Sequence, residues 1–508
     1  MFARVQSVNF LGLETFGVEV EANIIAGLPA FNIVGLPDTA IKEARERVRA
    51  AIENSQFDFP MRKITVNLAP ADLKKEGPMF DLPIAIALLK ATRQIKNPLE
   101  DFCFAGELSL MGKVRPIRGS LLLAEKAKRG DKKFFLLPEA NAREAALVDG
   151  INIIPVKNLT EAAAYLDGKQ EIAPQPSIKI KPLLSDYNIN LSEVKGQTLA
   201  KRALEIAAAG GHNLLMVGSP GAGKSMLAKR LSTIMPPLTK EQIIDVTKIY
   251  SVIGLTNNGH SVIKTRPFRS PHHTISSAGL VGGGSNPKPG EISLSHLGVL
   301  FLDELTEFKR DVLEALRQPL EDGKVSISRA LRQNTYPANF CLIAAMNPCR
   351  CGHYGDKVKQ CICTPAELRR YRQKTSGPLL ERIDLHVTVN RLTKDELINC
   401  QAGEDSDEIR KRVNQAFCIQ EKRLRRSAVR TNSQMGVAHL QKYCRLDNPG
   451  IEFLSQAIDK LGLSGRSYDK ILRISRTIAD LAGHENIAIE HLAEALQYRQ
   501  YERQTIKL

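Results

Sequence analysis

Tryptophan is absent from this 508-residue chain, and Phe, Trp and Tyr together make up only 5% of it. Platforms on which nucleic-acid bases stack are built from such side chains, so the composition does not indicate a broad one. Apolar runs are also short, and none approaches the ~18–20 residues that a membrane-spanning helix requires. The N-terminal stretch MFARVQSVNFLGLETFGVEVE lacks the uninterrupted apolar core of a signal peptide. We therefore expect a cytoplasmic protein without a membrane partner.

Acidic residues are fewer than basic ones. Lys and Arg number 71 against 55 Asp and Glu, which gives a formal net charge of +16. An excess of this size favours a polyanionic partner, and nucleic acid is the first candidate. A cytosolic protein that is merely basic is the alternative.

The chain is long enough for about three domains of ~150 residues. Residues 1–170 alternate strand-like runs such as KITVNLAP with helical ones such as PDTAIKEARERVRAAIENS, which predicts a mixed fold. Prolines interrupt residues 171–190 and indicate a linker. Residues 191–400 combine short apolar strands with helices in an α/β pattern, and residues 401–508 are mostly helical and charged.

A phosphate-binding loop is predicted between the apolar strand NLLMVG and the helix MLAKRLSTIM. The loop GSPGAGKS matches G-x-x-x-x-G-K-[ST] in the required context of strand, loop and helix. Glycines let backbone N–H groups turn toward phosphate oxygens, Lys224 can reach the β and γ phosphates, and Ser225 can ligate Mg²⁺. The residues predicted to bind ATP are Gly218, Ser219, Pro220, Gly221, Ala222, Gly223, Lys224 and Ser225.

Two further apolar runs end in polar residues that suit the same site. GVLFLDE predicts a buried strand that ends at Asp303 and Glu304. Asp303 can hold Mg²⁺ through water, and Glu304 is the candidate base that orients the attacking water. CLIAAMN predicts a third buried strand, and the amide of Asn347 at its tip can bind the γ-phosphate or that water.

Arginines are candidates for stabilising transition-state charge. Arg382 lies in GPLLERIDLHV, between a predicted helix and a strand, and a neighbouring subunit can supply such a group. A salt bridge to Glu381 or Asp384 is the alternative. The helix SGRSYDKILRISRTIADLAG carries Arg466, Arg473 and Arg476. One of these arginines could touch phosphate from a lid domain, and we expect the others to be solvated.

The nine cysteines do not indicate structural disulfides in a cytosolic chain. Four of them form the pairs Cys349-x-Cys351 and Cys361-x-Cys363. Four thiolates suffice for tetrahedral Zn²⁺, and His353 is a possible substitute ligand. Free thiols or a redox pair are the alternatives. Bound zinc would brace an insertion, 349–363, between the strand ending at Asn347 and the Arg382 helix.

The order of these motifs resembles that of AAA+ ATPases. RPFRSPHHTISSAGLVGGGSNPKPGEISLSHLGVLFLDEL, AAMNPCRCG and GPLLERIDLHV are similar to the magnesium-chelatase-like family, and the resemblance covers nearly the whole chain. It implies an AAA+ P-loop core with a C-terminal helical lid, in a hexameric ATPase that binds DNA. It further implies helicase-like branch migration during natural transformation and homologous recombination. The roles implied by the family fall on Lys224, Ser225, Asp303, Glu304, Asn347, Arg382 and Arg473.

The N-terminal part resembles the Lon-protease domain, which has a ribosomal-S5-like (S5 domain 2-like) α+β fold. In KKEGPMFDLPIAIAL, Met79 stands where that family has its serine nucleophile, and Leu121 stands where it has its lysine. Neither side chain can act as a nucleophile or a base, which argues against proteolysis. We expect a DNA-binding or ring-assembly element instead.

A hairpin is predicted in EDGKVSISRALRQNTYPANF, where two strand-like runs flank ALRQN. In a ring, Lys324, Arg329 and Arg332 could contact DNA phosphates without reading sequence. Solvated charges on an outer hairpin are the alternative, and the same choice applies to the basic stretch 410–430. Rival functions are a chelatase-like or protein-remodelling motor and a nucleotide-gated DNA-binding scaffold.

Overall fold

The computed structural model describes residues 1–178, 188–256, 262–284, 287–329, 332–356, 358–374, 377–393, 396, 403–427, 429–461 and 464–499. The chain forms two compact units. Met1–Lys181 and Lys240–Ile263 make the first, and Pro182–Thr239 and Lys264–Leu508 make the second. Residues 179–187 of the predicted linker lie outside the described part.

The first unit contains a seven-stranded mixed sheet in the order β3-β4-β2-β1-β5-β8-β9. Its elements, numbered in chain order, are β1 Phe2–Leu11, β2 Glu14–Ile25, β3 Ala30–Val34, α1 Thr39–Asn54, β4 Lys63–Ala69, α2 Asp81–Ala91, β5 Phe102–Phe104, β6 Glu107–Leu108, β7 Val114–Arg115, α3 Ser120–Arg129, β8 Phe134–Pro138, α4 Glu139–Ala145, β9 Asn152–Val156 and α5 Leu159–Leu166.

Local sequence explains the first helix of this unit. The side chain of Asp38 accepts a hydrogen bond from the backbone N–H of Ile41 over 2.8 Å and caps α1. Residues of one face, including Ala44 and Val48, are fully buried in the core. Met79 and Leu121 are buried as well, at 5% and 0% exposure, so both serve as core residues.

A segment from the middle of the sequence belongs to this first unit. It contains the helix Lys240–Val252, which is α8 in chain order. The hydroxyl of Ser251 donates to the buried carboxylate of Glu144, and the backbone carbonyl of Ser251 accepts the N–H of Gly119 over 3.1 Å. Most residues of the helix are buried. The chain thus leaves the second unit after residue 239 and returns to it at residue 264.

The second unit is built on a five-stranded parallel sheet in the order β11-β14-β17-β10-β18. Its elements up to the last strand are α6 Thr198–Gly210, β10 Leu214–Val217, α7 Lys224–Ile234, β11 Phe268–Arg269, α9 Ser277–Val281, β12 Gly282–Gly283, β13 Lys288–Pro289, α10 Glu291–Leu294, β14 Val299–Leu302, α11 Arg310–Glu314, α12 Arg317–Asp322, β15 Lys324–Arg329, β16 Arg332–Pro337, β17 Cys341–Met346, α13 Pro365–Arg372, α14 Gly377–Leu380 and β18 Leu385–Thr388.

Helices complete this unit: α15 Ser406–Leu424, α16 Val437–Tyr443, α17 Asn448–Leu461, α18 Gly465–Leu481 and α19 Ile489–Gln497. In the described part of the chain, every helix is too short or too polar to cross a membrane. Arg476 is only 2% exposed and pairs with the buried Asp480 at 3.0 Å. The expectation that it would be solvated is therefore wrong, because its guanidinium also donates to the carbonyls of His484 and Glu485 inside the fold.

Candidate functional site

The phosphate-binding loop has the predicted form. It leaves the buried strand β10 and enters α7, and Gly221 and Gly223 have positive φ angles of 77° and 92° that favour glycine. Gly218 lies so close to the residue after β18 that an added Cβ would be 2.0 Å from the carbonyl oxygen of Val389. Glycine is thus required at the start of the loop by a close approach and within it by conformation.

Lys224 is buried at the start of α7. Its ammonium group donates to the carbonyl oxygens of Gly218 and Ser219 over 2.6 and 3.1 Å, and to Oδ1 of Asn347 over 3.2 Å. Burial lowers the pKa of the lysine, while the negative charges of Asp303 and Glu304 oppose that shift. The ammonium group of Lys224 therefore donates to carbonyl oxygens of the loop. A phosphate bound at the same place would offer it stronger, charged acceptors.

Ser225 and Asp303 meet at the ends of different elements. The hydroxyl of Ser225 donates to Oδ2 of Asp303 over 2.6 Å. A hydroxyl and a carboxylate are hard oxygen donors of the kind that Mg²⁺ prefers. The pair therefore fits a magnesium ion that is bound together with phosphate oxygens.

Glu304 follows Asp303 with a left-handed backbone, at φ 53°, and its side chain is 58% exposed. Non-glycine residues rarely adopt this conformation, and it concentrates at functional sites. Nδ1 of His273 lies 3.4 Å from Oε2 of Glu304. Sequence analysis gave His273 no role, although it stands in the RSPHHT stretch that carries the family resemblance.

Arg382 does not pair with either predicted acid. Its guanidinium contacts Glu321 and donates to the carbonyl of Pro378 over 2.6 Å, whereas Glu381 pairs with Arg466. The Nε atoms of Arg382 and of the half-buried Arg473 have no hydrogen-bond partner among the described residues. Buried donors in folded proteins normally have an acceptor, so both arginines have capacity for one more.

The four predicted cysteine ligands lie together. Their sulfur atoms are all within 4.8 Å of one another, and Cys349 Sγ is 3.3 Å from Cys351 Sγ and 3.7 Å from Cys361 Sγ. Such a group fits a tetrahedral thiolate site after small adjustments. His353 is not part of it, because its Nδ1 lies 3.3 Å from Asp356 Oδ2.

The environment of the thiols is not uniform. Burial raises the pKa of Cys349 to about 12. Burial also opposes ionisation of Cys351, but hydrogen bonds from the N–H groups of His353 and Ile362 lower the pKa of its thiol to about 6. The lowered pKa favours the thiolate form of Cys351, whereas a metal ion would have to displace the proton of Cys349.

A second group, His484, Glu490 and His491, is less suited to a metal. Nδ1 of His491 accepts the backbone N–H of Ala488 over 2.9 Å, so the neutral ring carries its proton on Nε2. That nitrogen is the one facing His484, at 3.2 Å. Binding a metal there would require the tautomer that breaks the Ala488 bond.

The predicted hairpin is present. Strands β15 and β16 pair in antiparallel register from Lys324 with Pro337 to Arg329 with Arg332. Val325 and Ile327 are buried, and Lys324 is exposed. The side chains of Arg329 and Arg332 lie outside the described part, as do the intervening residues 330–331.

Much of the basic stretch 410–430 is committed to internal ion pairs. Arg410 and Lys411 pair with Asp407 and Glu408 at 2.8 and 2.7 Å. Arg412 lies 2.8 Å from Glu205, and Arg423 pairs with the buried Asp480. Arg412 and Arg423 therefore join this helix to α6 and α18, and Arg410 and Lys411 have partners within it, so the stretch gives weaker support to DNA binding than its composition indicates.

Three family profiles match successive parts of the chain. The family profile described as "Magnesium chelatase, subunit ChlI" matches residues 190–397. The profile "Subunit ChlI of Mg-chelatase" matches residues 20–141, and "Magnesium chelatase, subunit ChlI C-terminal" matches residues 403–499.

Individual relatives are similar along the whole chain. The competence protein ComM of Haemophilus influenzae is 43% identical over 515 residues, which cover 100% of this chain and 99% of the relative. The uncharacterized protein YifB of Salmonella typhimurium is 43% identical over 509 residues, covering 98% and 97%. A Lon protease of Trichlorobacter lovleyi is 30% identical over 190 residues, or 34% of this chain and 23% of the protease.

Proposed function

Because this chain belongs to the magnesium-chelatase-like AAA+ family that includes ComM and YifB, we propose that it is an ATP-driven DNA motor. The subunits would form a hexameric ring, as the family resemblance implies, that moves a DNA branch point during natural transformation and homologous recombination. Family membership itself suggests ATP hydrolysis with Mg²⁺, and the name of the Haemophilus relative suggests competence.

One observation carries the ATPase part. Lys224, Ser225, Asp303 and Asn347 come from three separate segments and lie within hydrogen-bonding distance in two pairs at the carboxyl ends of parallel strands. Ligands of open α/β sheets bind at this edge. The arrangement therefore supports nucleotide binding at the loop 218–225.

The residues divide the chemical work. Backbone N–H groups of the loop and Lys224 would bind the phosphates, and Ser225 and Asp303 would hold Mg²⁺, which neutralises phosphate charge. Glu304, exposed beside the site, would accept the proton of the attacking water while Asn347 orients it. Arg382 of a neighbouring subunit would stabilise the transition state, since within one chain its contacts are Glu321 and Pro378.

Two features support DNA as the partner. The formal net charge is +16, and Lys324 is exposed at one end of the hairpin. Contacts from Lys324, Arg329 and Arg332 to phosphates would give affinity without sequence preference.

The four-cysteine group would bind Zn²⁺. The convergence of its four sulfur atoms supports this part of the proposal.

An ATP-driven displacement assay on forked and four-way DNA tests the proposal. We expect strand displacement and branch movement that require hydrolysable ATP and are lost in Lys224→Ala. ATPase stimulation by a protein partner but not by DNA would instead favour a remodelling motor. A protein that remained monomeric with nucleotide and DNA, yet hydrolysed ATP at full rate, would contradict the ring.

A further inference from the structure

The segment from Cys349 to Arg372, which we call the cysteine module, packs against the phosphate loop. Gly352 adopts a φ of +83°, and a Cβ added to it would lie 2.7 Å from Cδ of Pro220. No larger residue fits without moving one of the two loops. Backbone of the module therefore lies directly against the second variable position of the phosphate loop.

Asp356 makes a second contact with the same loop. Its side chain is 1% exposed. The carboxylate accepts a hydrogen bond from the backbone N–H of Val358 over 2.8 Å, lies close enough to the hydroxyl of Ser219 to interact with it, and lies 3.3 Å from Nδ1 of His353. These donors lower the pKa of Asp356 far below its ordinary value, so it is a carboxylate at neutral pH.

The other end of the module reaches the acidic turn that follows β14. The hydroxyl groups of Tyr371 and Thr306 are 2.9 Å apart, and both residues are buried. Thr306 lies two residues after Glu304 in the 3-10 turn Leu305–Glu307. The module thus contacts both loops that hold the predicted ATPase residues.

Within the module, these ends are joined through the thiols. The guanidinium of Arg372 lies 5.4 Å from the ring centre of Tyr354, a cation–π distance. The backbone N–H of Tyr354 donates to Sγ of Cys349 over 3.3 Å. If the four sulfur atoms are held together, Tyr354 and, through it, Arg372 are held in place as well.

We propose that Asp356 and Tyr371 are positioning residues of the ATPase site, and that the cysteine module holds the phosphate loop and the acidic turn in working geometry. This inference rests on the proposed ATPase function. Asp356 acts through Ser219, whose carbonyl is one of the acceptors of Lys224. Tyr371 acts through Thr306 on the turn that presents Asp303 and Glu304.

The two contacts predict different kinetic effects. Asp356→Ala loosens the phosphate loop, so we expect ATP to bind about 3- to 10-fold more weakly, which corresponds to the loss of one hydrogen bond. Tyr371→Phe leaves that loop in place, so we expect kcat to fall by a similar factor with nearly unchanged ATP affinity. Arg350→Ala is the matched control, because that side chain is 81% exposed within the same module.

Binding of a fluorescent ATP analogue and steady-state hydrolysis, measured on the full chain, separate these effects. Asp356→Asn keeps an oxygen acceptor and the size of the side chain, so we expect it to retain most of the ATP affinity. Tighter binding in Asp356→Ala or Asp356→Asn would overturn the proposal, since it would show that the carboxylate mainly repels phosphate. Equal loss of affinity and kcat in both variants, with lowered Tm, would also overturn it by indicating a purely structural role.

Metal dependence gives a second measurement that does not rely on hydrolysis. With the thiol group loaded with zinc, a zinc-selective chelator in the presence of excess Mg²⁺ should weaken binding of the ATP analogue in the wild type and have little further effect in Asp356→Ala. By thermodynamic reciprocity, the analogue should tighten zinc binding by the wild type. Chelation that weakens binding equally in both proteins would contradict coupling through Asp356. Failure of Lys224→Ala to reduce binding would instead contradict the proposed function itself.

Discussion

The ammonium group of Lys224 donates to Oδ1 of Asn347 over 3.2 Å, which joins the first residue of α7 to the residue that follows β17. With its oxygen directed to the lysine, the amide presents N–H donors for a phosphate or a water. This hydrogen bond connects two segments that are 123 residues apart in sequence.

Asn347→Ala should therefore impair hydrolysis rather than binding. Loss of a donor aimed at transition-state charge costs on the order of 10²-fold in kcat. We expect the Kd for ATP to change little, since Lys224 and the loop amides remain. Equilibrium binding and single-turnover hydrolysis distinguish the two, and a parallel loss of ATP binding would show that Asn347 mainly maintains the loop.

Glu304→Gln should bind ATP without hydrolysing it, because an amide cannot accept the proton of the attacking water. We expect kcat to fall by about 10²- to 10⁴-fold, and strand displacement to stop. Glu307→Gln is the matched control, since Glu307 lies in the same turn and is 48% exposed beside Lys374. Normal displacement by Glu304→Gln would favour a nucleotide-gated scaffold over a motor.

Mixing two inactive variants tests whether Arg382 acts in a neighbouring subunit. Arg382→Ala retains the phosphate loop, and Lys224→Ala retains the arginine, so a mixed ring contains some complete sites. We expect ATPase activity to reappear on mixing, whereas each variant alone is inactive. Arg445→Ala, which removes an exposed arginine that is not a candidate for the site, should behave like the wild type. No recovery in rings shown to exchange subunits would place the action of Arg382 within its own chain.

Cys349→Ser combined with Cys361→Ser should abolish metal binding. Metal analysis of the purified protein should give about one zinc per chain in the wild type, as expected for a tetrahedral thiolate site, and none in the variant. Because metal binding stabilises the folded site, Tm should fall, and assembly or ATPase activity with it. Cys418→Ser is the control, since that cysteine is exposed and outside the group. Unchanged metal content and activity would refute the site.

The buried carboxyl group of Asp81 should make the stability of the protein depend on pH in an unusual direction. Burial raises its pKa from 3.8 to about 6, although Arg47 pairs with it at 2.8 Å. The folded state then binds more protons than the unfolded state between these values, so stability rises as the pH falls from 8 to 5. We expect a gain of about 1 kcal/mol relative to Asp81→Asn, measured by urea unfolding followed by circular dichroism. Relative loss of stability on acidification would show that the attraction of Arg47 outweighs burial.

Local patterns predicted local structure well. The strand, loop and helix around Lys224 follow from a motif, and the hairpin at Lys324 follows from alternation. The family resemblance is confirmed by relatives that match the whole chain. Each of these signals lies within a short window of sequence or in an ordered set of motifs.

Contacts between distant segments were not predictable in this way. Arg382 pairs with Glu321, which is 61 residues away, and not with the acidic residues beside it in sequence. Nothing in a charge pattern shows that Arg476 is buried or that Asp356 reaches Ser219. Such pairings depend on how strands and helices pack, and one-dimensional periodicity contains no information on that.

The placement of residues 240–263 in the first unit has a practical consequence for experiments on fragments. A truncation that begins near residue 190 would keep α8 but delete the surface that covers its apolar residues, such as Ile243, Val246 and Ile249. Such a fragment should aggregate, and its inactivity would say nothing about what the N-terminal half does. Dissecting the protein requires excision of 240–263 as well, with residues 239 and 264 rejoined by a short flexible linker.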